Sequence, residues 1–132
     1  MRILVADNQP KVRFALRVAL EQRPGDKTIG EATDAQDLLA QTSVICPHLL
    51  LIDWELPGMP MAELVPRLRK ACVNLHVIVL HSREETRGQA IAAGADAFVC
   101  KSDGPDELLT AIDHSLKAEQ AAPQNEQSCQ DR

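Results

Sequence analysis

Short apolar runs alternate along the chain with segments in which apolar residues recur every three or four positions. The clearest run is Leu49–Ile52, which is too short to form a stable helix and is followed by Asp53. A strand buried on both faces has this pattern, so it predicts a parallel sheet with helices on each side. Similar runs predict four further strands, over residues 2–6, 27–31, 75–80 and 95–100.

Helical periodicity and helix-ending residues occupy the segments between these runs. We expect helices from Pro10 to about Arg23, from Thr33 or Asp34, over about 61–71, over about 84–93 and over 106–117. Five strands alternating with five helices, joined by right-handed crossovers, predict a doubly wound α/β sheet in the order 2-1-3-4-5. The chain is polar and aperiodic from residue 118, which predicts a folded domain over 1–117 and a disordered tail over 118–132.

Composition narrows the range of functions. The chain has 132 residues, 45% of them apolar and 25% charged, as in an ordinary soluble domain. The net charge of −5 argues against direct nucleic acid binding, which requires a basic patch. No apolar run approaches the length of a membrane span, so we expect a cytoplasmic protein without a membrane partner. One Trp, two Phe and no Tyr leave no aromatic platform for a flavin.

The cysteines give a second indication of the compartment. Cys46, Cys72, Cys100 and Cys129 are widely spaced, with no C-x-x-C pair and no His partner at zinc spacing. We therefore expect mostly buried, reduced thiols of a cytosolic protein, and neither a disulfide framework nor a metal site.

Polar residues whose side chains can bind a ligand or take part in a reaction follow four of the five predicted strands. They are Asp7, Asn8, Asp53, His81, Ser82 and Lys101. The carboxyl ends of parallel strands meet at one edge of the sheet, where open α/β proteins bind their ligands. Taken singly, an Asp that caps a turn or a Lys on the surface is an ordinary finding. Their convergence on one edge predicts a functional site.

In their order and spacing, these residues resemble the response-regulator receiver domain of two-component signalling, over about residues 2–117. The resemblance rests on Asp7-Asn8, on Asp53 followed by Pro57-Gly58, on the segment 94–98 and on Lys101. Segments 29–32 and 101–108 are similar to receivers that carry a helix-turn-helix output domain, which has no counterpart in this sequence. The resemblance implies a flavodoxin-like fold.

The resemblance also implies a mechanism. Asp53 would be the nucleophile that takes a phosphoryl group from a histidine kinase or phosphotransfer protein, and Lys101 would contact the phosphoryl oxygens. Mg²⁺ would be the cofactor, held by Asp7, Asn8, Asp53 and the carbonyl of Glu55. The domain would not be an enzyme beyond its own phosphorylation and dephosphorylation. It would regulate an output protein, or associate with itself, through the face formed by helix 4, strand 5 and helix 5.

Two positions depart from the family pattern. The second acidic residue after strand one is replaced by Asn8, which leaves the metal site one charge short unless Glu55 compensates. The switch hydroxyl after strand four corresponds to His81, or to Ser82 if the alignment slips by one residue, and the segment from there to Gly94 is about two residues shorter than usual. Phe98 takes the position of the family's switch aromatic, although simple core packing would also explain it.

Three other interpretations remain open. A pseudo-receiver would use the same fold as an interaction module without phosphorylation, as Asn8 and His81 would suggest. A hydrolase acting through an aspartyl phosphate would need a second acid, for which the spacing offers only Glu55. A dinucleotide-binding domain would need G-x-G-x-x-G after strand one, where Asp7-Asn8-Gln9-Pro10 stands instead.

Overall fold

The computed structural model describes residues 1–101 and 106–114. Within them lies one parallel sheet whose strand order is β2-β1-β3-β4-β5, which confirms the predicted topology. The strands are β1 (Arg2–Ala6), β2 (Thr28–Ala32), β3 (Leu49–Asp53), β4 (His76–His81) and β5 (Ala97–Cys100). Each lies within two residues of its predicted position at both ends.

The helices are α1 (Pro10–Glu21), α2 (Ala35–Ile45), α3 (Met61–Ala71) and α4 (Arg87–Ala92), with a 3-10 turn over Glu84–Thr86 before α4. Residues 106–114 are also helical and are called α5 here. The remainder of the last predicted helix and the predicted tail over 118–132 lie outside the described residues. None of the helices in the described part of the chain is long and apolar enough to cross a membrane.

β3 is the middle strand of the sheet, and all five of its residues are buried. Its side chains alternate between two apolar cores, as the pleat of a strand requires. Leu50 and Ile52 join the core that includes residues of α2 and α3, whereas Leu49 and Leu51 join the core that includes residues of α1 and α5. Burial on both faces explains why the strand is continuously apolar, as the sequence indicated.

The register of the sheet brings the strand ends together. Ala6 of β1 pairs with Ile52 of β3, Asp53 pairs with Leu80 of β4, and His81 pairs with Cys100 of β5. The residues at and after these positions therefore share one edge, the carboxyl edge of the sheet.

The prediction that the cysteines are reduced thiols was wrong for two of them. Cys46 and Cys72 form a disulfide, with Cα atoms 5.4 Å apart, although 26 positions separate them in sequence. Spacing along the chain could not reveal the pair, because it forms only when the ends of α2 and α3 meet in the folded domain. Cys100 is buried and takes no part in this disulfide, as expected, and its sulfur lies 3.6 Å from the carbonyl oxygen of Ser82. Cys129 lies outside the described residues.

Candidate functional site

Lys101 lies between two buried carboxylates at the carboxyl edge of the sheet. Its Nζ is 3.0 Å from Asp53 Oδ1 and 3.2 Å from Asp7 Oδ2. Asp7 is inaccessible to solvent and Asp53 is 6% exposed. Three residues that follow β1, end β3 and follow β5 therefore form one cluster of alternating charge, which is the arrangement that the strand ends indicated.

Asp7 is held rigidly in this cluster by its own loop. Its Oδ1 accepts a hydrogen bond of 2.9 Å from the amide of Gln9, which leaves Oδ2 directed at Lys101. Its amide donates to the carbonyl of Ala32 at 3.1 Å, and its carbonyl accepts from the guanidinium of Arg13 at 2.6 Å. Both backbone polar groups and both carboxylate oxygens are thus satisfied, which fixes the side chain in place.

Burial and charge act in opposite directions on Asp53. Burial raises its pKa, and the charges of Asp7 and Glu55 raise it further, whereas the hydrogen bond and charge of Lys101 lower it; the pKa stays above the ordinary value. Burial also disfavours the charge of Lys101, but the contacts with Asp53 and Asp7 outweigh it and raise the pKa of the ammonium. Lys101 is therefore a fixed positive charge beside a carboxylate whose charge is costly.

The loop after Asp53 is ordered by contacts with neighbouring elements. The amide of Trp54 donates to the carbonyl of Leu80 at 2.8 Å, and the carbonyl of Pro57 accepts from the amide of Ala35 at 2.8 Å. Gly58 has φ +109° and lies so close to Ala35 that a Cβ would come within 3.2 Å of the Ala35 Cβ. Glycine is required there for both reasons, so Pro57-Gly58 anchors the Asp53 loop to the start of α2.

His81, not Ser82, points into the protein at the end of β4. His81 is 7% exposed, whereas Ser82 is exposed. The Nδ1 of His81 is within hydrogen-bond distance of Thr86 Oγ1, at 2.8 Å, and its Nε2 is 3.6 Å from Glu55 Oε2. These two contacts join His81 to the 3-10 turn and to the Asp53 loop.

Thr86 lies beside the candidate site, and the sequence did not indicate this. It is buried in the 3-10 turn and lines the same polar surface cavity as Trp54, Glu55 and His81. A threonine five positions after a strand carries no distinctive pattern. Its contact with His81 depends on how the 3-10 turn folds back over the end of β4.

The oxygen ligands at this edge fit Mg²⁺ better than a metal ion that must be coordinated by side chains alone. In residues 1–101 and 106–114, no three His, Cys, Asp or Glu side chains form a cluster able to hold a metal ion. The two buried carboxylates of Asp7 and Asp53 are near enough to share Lys101, while Asn8 and Glu55 are exposed. Mg²⁺ is suited to such a site because it is usually bound by one or two carboxylates and keeps several waters.

Phe98 is buried beneath α4. Its side chain is 5% exposed, and the guanidinium carbon of Arg87 lies 5.1 Å from the centre of its ring. Arg87 also donates from Nη1 to the carbonyl of Phe98 at 3.2 Å. The residue at the family's switch position therefore faces inward and is covered by a cation.

Comparison with known proteins agrees with this geometry. The family model described as "Response regulator receiver domain" matches residues 3–113. The chain is thus a receiver domain of two-component systems. It belongs to the response regulator receiver family, and its relatives include response regulators of the LuxR type.

Several relatives illustrate the extent of the match. The chain is 27% identical over 119 residues to the nitrate/nitrite response regulator protein NarL of Escherichia coli K12, covering 89% of this chain and 55% of NarL. It is 31% identical over 114 residues to the transcriptional activator protein ExaE of Pseudomonas putida, covering 85% and 53%. The chain therefore spans about half the length of these curated relatives.

Solved structures match over most of their length. The crystal structure of a LuxR-family two-component response regulator from Aurantimonas sp. SI85-9A1 superimposes with a TM-score of 0.80 at 29% identity, covering 89% of this chain and 85% of that one. The receiver domain of the Francisella response regulator 1452 gives a TM-score of 0.76 at 26% identity, covering 89% and 98%. The second match shows that this fold is found as a receiver domain of similar size.

Proposed function

We propose that this chain acts as a receiver that accepts a phosphoryl group on Asp53 from a histidine kinase or a phosphotransfer protein. The observation that carries the proposal is the position of Lys101, which contacts both Asp53 and Asp7 at the carboxyl edge of the sheet. A cation in contact with a carboxylate nucleophile is placed to neutralise the charge that a phosphoryl group brings.

The chemistry at Asp53 is a phosphoryl transfer between two nucleophiles. A carboxylate oxygen of Asp53 attacks the phosphorus of a phosphohistidine, the bond from phosphorus to the imidazole nitrogen breaks, and an acyl phosphate forms. Asp7 is held by its loop and keeps Lys101 protonated and oriented. Asp7, Asp53, the side-chain carbonyl of Asn8 and the backbone carbonyl of Glu55 would hold Mg²⁺, which would supply positive charge to screen the carboxylates and the phosphoryl oxygens.

The output of the domain is a protein contact. We propose that the surface formed by α4, β5 and α5 binds an output protein or a second copy of the chain, and that the chain works in the cytoplasm. The net charge of −5 gives no support to direct contact with nucleic acid by this chain. We propose no catalytic activity beyond the gain and loss of the phosphoryl group at Asp53.

A pseudo-receiver is the second candidate. Two observations favour it: Asn8 brings no charge to the metal site, and His81 replaces a small hydroxyl residue and contacts Thr86 and Glu55. In that case the same surface would bind a partner irrespective of phosphorylation.

Labelling with a small-molecule donor distinguishes the two candidates. The chain is incubated with acetyl phosphate and Mg²⁺, and its intact mass is recorded. The receiver proposal expects one added phosphoryl group on the wild type and on Glu63→Gln, whose exposed ion pair with Arg67 lies on α3, and none on Asp53→Asn, which keeps the shape of the side chain. Labelling of Asp53→Asn equal to the wild type would show that another residue is the acceptor, and an unlabelled wild type would favour the pseudo-receiver.

A further inference from the structure

The Cys46–Cys72 disulfide lies at the opposite edge of the sheet from Asp53. Cys46 is the C-terminal cap of α2 and lies shortly before β3, Cys72 is the C-terminal cap of α3, and Asp53 is the last residue of β3. A strand of five residues spans roughly 16 Å, which separates the disulfide from the phosphoacceptor. We propose that Cys46 and Cys72 form a reversible redox site, oxidised by disulfide-bearing molecules and independent of the phosphoryl chemistry at Asp53.

The pair lies at a surface that a reagent can reach. Cys46 is half-buried and Cys72 is buried. The apolar residues that stand nearby in the chain, Val44 and Val73, are 84% and 80% exposed. Because Cys46 is the more exposed residue of the two, we expect an incoming disulfide to react with its sulfur first and Cys72 to resolve the intermediate.

One cationic and one basic side chain lie beside the pair. Arg2 and His48 line the same surface cavity as both cysteines. The guanidinium of Arg2 donates two hydrogen bonds to the carbonyl of Cys46, at 3.1 Å from Nη2 and 3.3 Å from Nε, and its amide donates to His48 Nδ1 at 3.0 Å. A cation near a cysteine favours the thiolate, which is the reactive form in thiol–disulfide exchange.

The backbone of each cysteine is held in place without the disulfide. The amide of Cys46 donates to the carbonyl of Thr42 at 2.9 Å, and that of Cys72 donates to the carbonyl of Leu68 at 3.0 Å. The sulfur of Cys72 lies 3.8 Å from the carbonyl of Pro47, which could accept a hydrogen bond from the reduced thiol. None of these backbone hydrogen bonds requires the disulfide, so we expect the same fold to persist when the bond opens.

The exchange proceeds in two balanced steps. The thiolate of Cys46 attacks one sulfur of the oxidant's disulfide, forming a mixed disulfide and releasing one thiolate. The thiolate of Cys72 then attacks the sulfur of Cys46, forming the internal disulfide and releasing the second thiolate. Two electrons pass from the cysteines to the oxidant, and the two protons of the cysteine thiols end on the two released thiols.

Oxidation should stabilise the domain and restrain α2. The disulfide closes a segment that contains β3, Asp53 and α3, and closing a loop of this length should raise the melting temperature by roughly 10 °C. The other end of α2 is bonded to the Asp53 loop through Ala35 and Pro57. With the disulfide closed, both ends of α2 are attached to neighbouring segments, so hydrogen exchange of its amides should slow.

A glutathione titration of the folded chain of 132 residues tests the proposal. The chain is equilibrated at several ratios of reduced to oxidised glutathione, quenched with acid, and mapped for the linked Cys46–Cys72 peptide, and its melting temperature is measured in parallel. We expect the linked fraction to follow the ratio in both directions and the melting temperature to follow the linked fraction. Cys46→Ser should lose this dependence, whereas Cys129→Ser should keep it.

Three results would overturn the proposal. The first is failure of the linked peptide to form in the folded chain at any ratio. The second is a linked peptide that reducing glutathione opens only after the chain has been unfolded, since the bond would then be a fixed cross-link. The third is a melting temperature that depends on the redox ratio equally in Cys46→Ser and the wild type.

Discussion

The neighbours of Asp53 determine how easily its carboxyl group ionises. Burial makes its carboxylate costly, and the charges of Asp7 and Glu55 add to that cost, while Lys101 offsets part of it. A group that must be both buried and ionised is characteristic of a functional site, because stability alone would favour a neutral residue there. The same balance makes a prediction about stability.

Asp53→Asn should be more stable than the wild type at pH 7. The pKa of Asp53 is raised in the folded state, so above that pKa its ionisation lowers the free energy of unfolding, and below its ordinary value of 3.8 the effect is absent. Asn removes the charge and can still accept a hydrogen bond from Lys101. The gain in urea midpoint should narrow as the pH falls from 7 towards 4. A gain that stays constant over this range would contradict the assigned cause.

Asn8→Asp should strengthen Mg²⁺ binding. It would add a carboxylate beside Asp7 and Asp53, and the loss of one supporting group typically changes the affinity of a metal site by about 10–100-fold. Fluorescence of Trp54, which adjoins Asp53 and is half-buried, would report the titration. If Asn8→Asp changes nothing and Glu55→Gln greatly weakens binding, Glu55 already supplies the missing charge.

The residues that meet at the carboxyl edge could be predicted only in part. Asp7, Asp53 and Lys101 follow or end apolar strands, so the strand pattern was enough to bring them together. Thr86 and the disulfide could not be predicted in this way, because each contact joins segments whose approach depends on how helices and turns pack against the sheet. Local sequence carries little information about such contacts.

At the scale of elements, α1 is attached to β2 by a small ionic network. Glu31 of β2 accepts from Arg13 at 2.9 Å and from Arg17 at 3.0 Å, both on α1. These hydrogen bonds lower the pKa of Glu31, and the one from Arg13 has the largest effect. Arg17 also donates to the carbonyl of Ile29 at 2.9 Å, and Arg13 to that of Asp7. The network therefore links α1, β2 and the loop that holds Asp7.

Glu31→Gln should destabilise the chain at neutral pH. Since Glu31 is about one-third exposed, solvent screening limits the loss to about 0.5–1 kcal/mol. The stabilisation is present above the ordinary pKa of 4.5 and is lost as the pH falls through the lowered value, so wild type and variant should converge in acid. Glu63→Gln is the matched control: its ion pair with Arg67 is about half exposed, and its loss should cost much less. Equal effects of the two changes would contradict the role of the network.

Element boundaries were predictable where the sequence provides a local signal. The sequence left Thr33 and Asp34 as alternative starts of α2, and the structure shows Asp34 as the N-cap. Its Oδ1 accepts a hydrogen bond of 2.8 Å from the amide of Asp37, which is a typical N-cap contact. The segment expected as one helix over 84–93 is instead a 3-10 turn followed by the six residues of α4. Periodicity over so short a segment does not distinguish the two helix types.

At the scale of the whole molecule, the sheet separates two chemistries. The carboxyl edge holds Asp7, Asp53 and Lys101, and the opposite edge holds the Cys46–Cys72 disulfide. The strand order that creates this separation followed from the alternation of elements and the handedness of crossovers. The disulfide has no such general rule behind it, and only the folded chain reveals it.

Coupling between the phosphoacceptor and the proposed output surface is the central claim at this scale. A phosphoryl group brings close to two negative charges to Asp53. It can shift a conformational equilibrium only if it interacts differently with the two states. Lys101 follows β5 directly, and Phe98 lies in β5 beneath Arg87 of α4, so a change at Lys101 has a short route to that surface.

Amide chemical shifts recorded before and after phosphorylation test this claim most directly. A ¹⁵N-labelled chain is treated with acetyl phosphate and Mg²⁺, and Asp53→Asn under the same conditions corrects for effects of the reagents. We predict shifts at Asp7, Asp53 and Lys101 and also at Arg87, at Phe98 and over residues 106–114. Shifts confined to the loops around Asp53, in a chain shown by mass to be phosphorylated, would contradict the coupling and favour a pseudo-receiver.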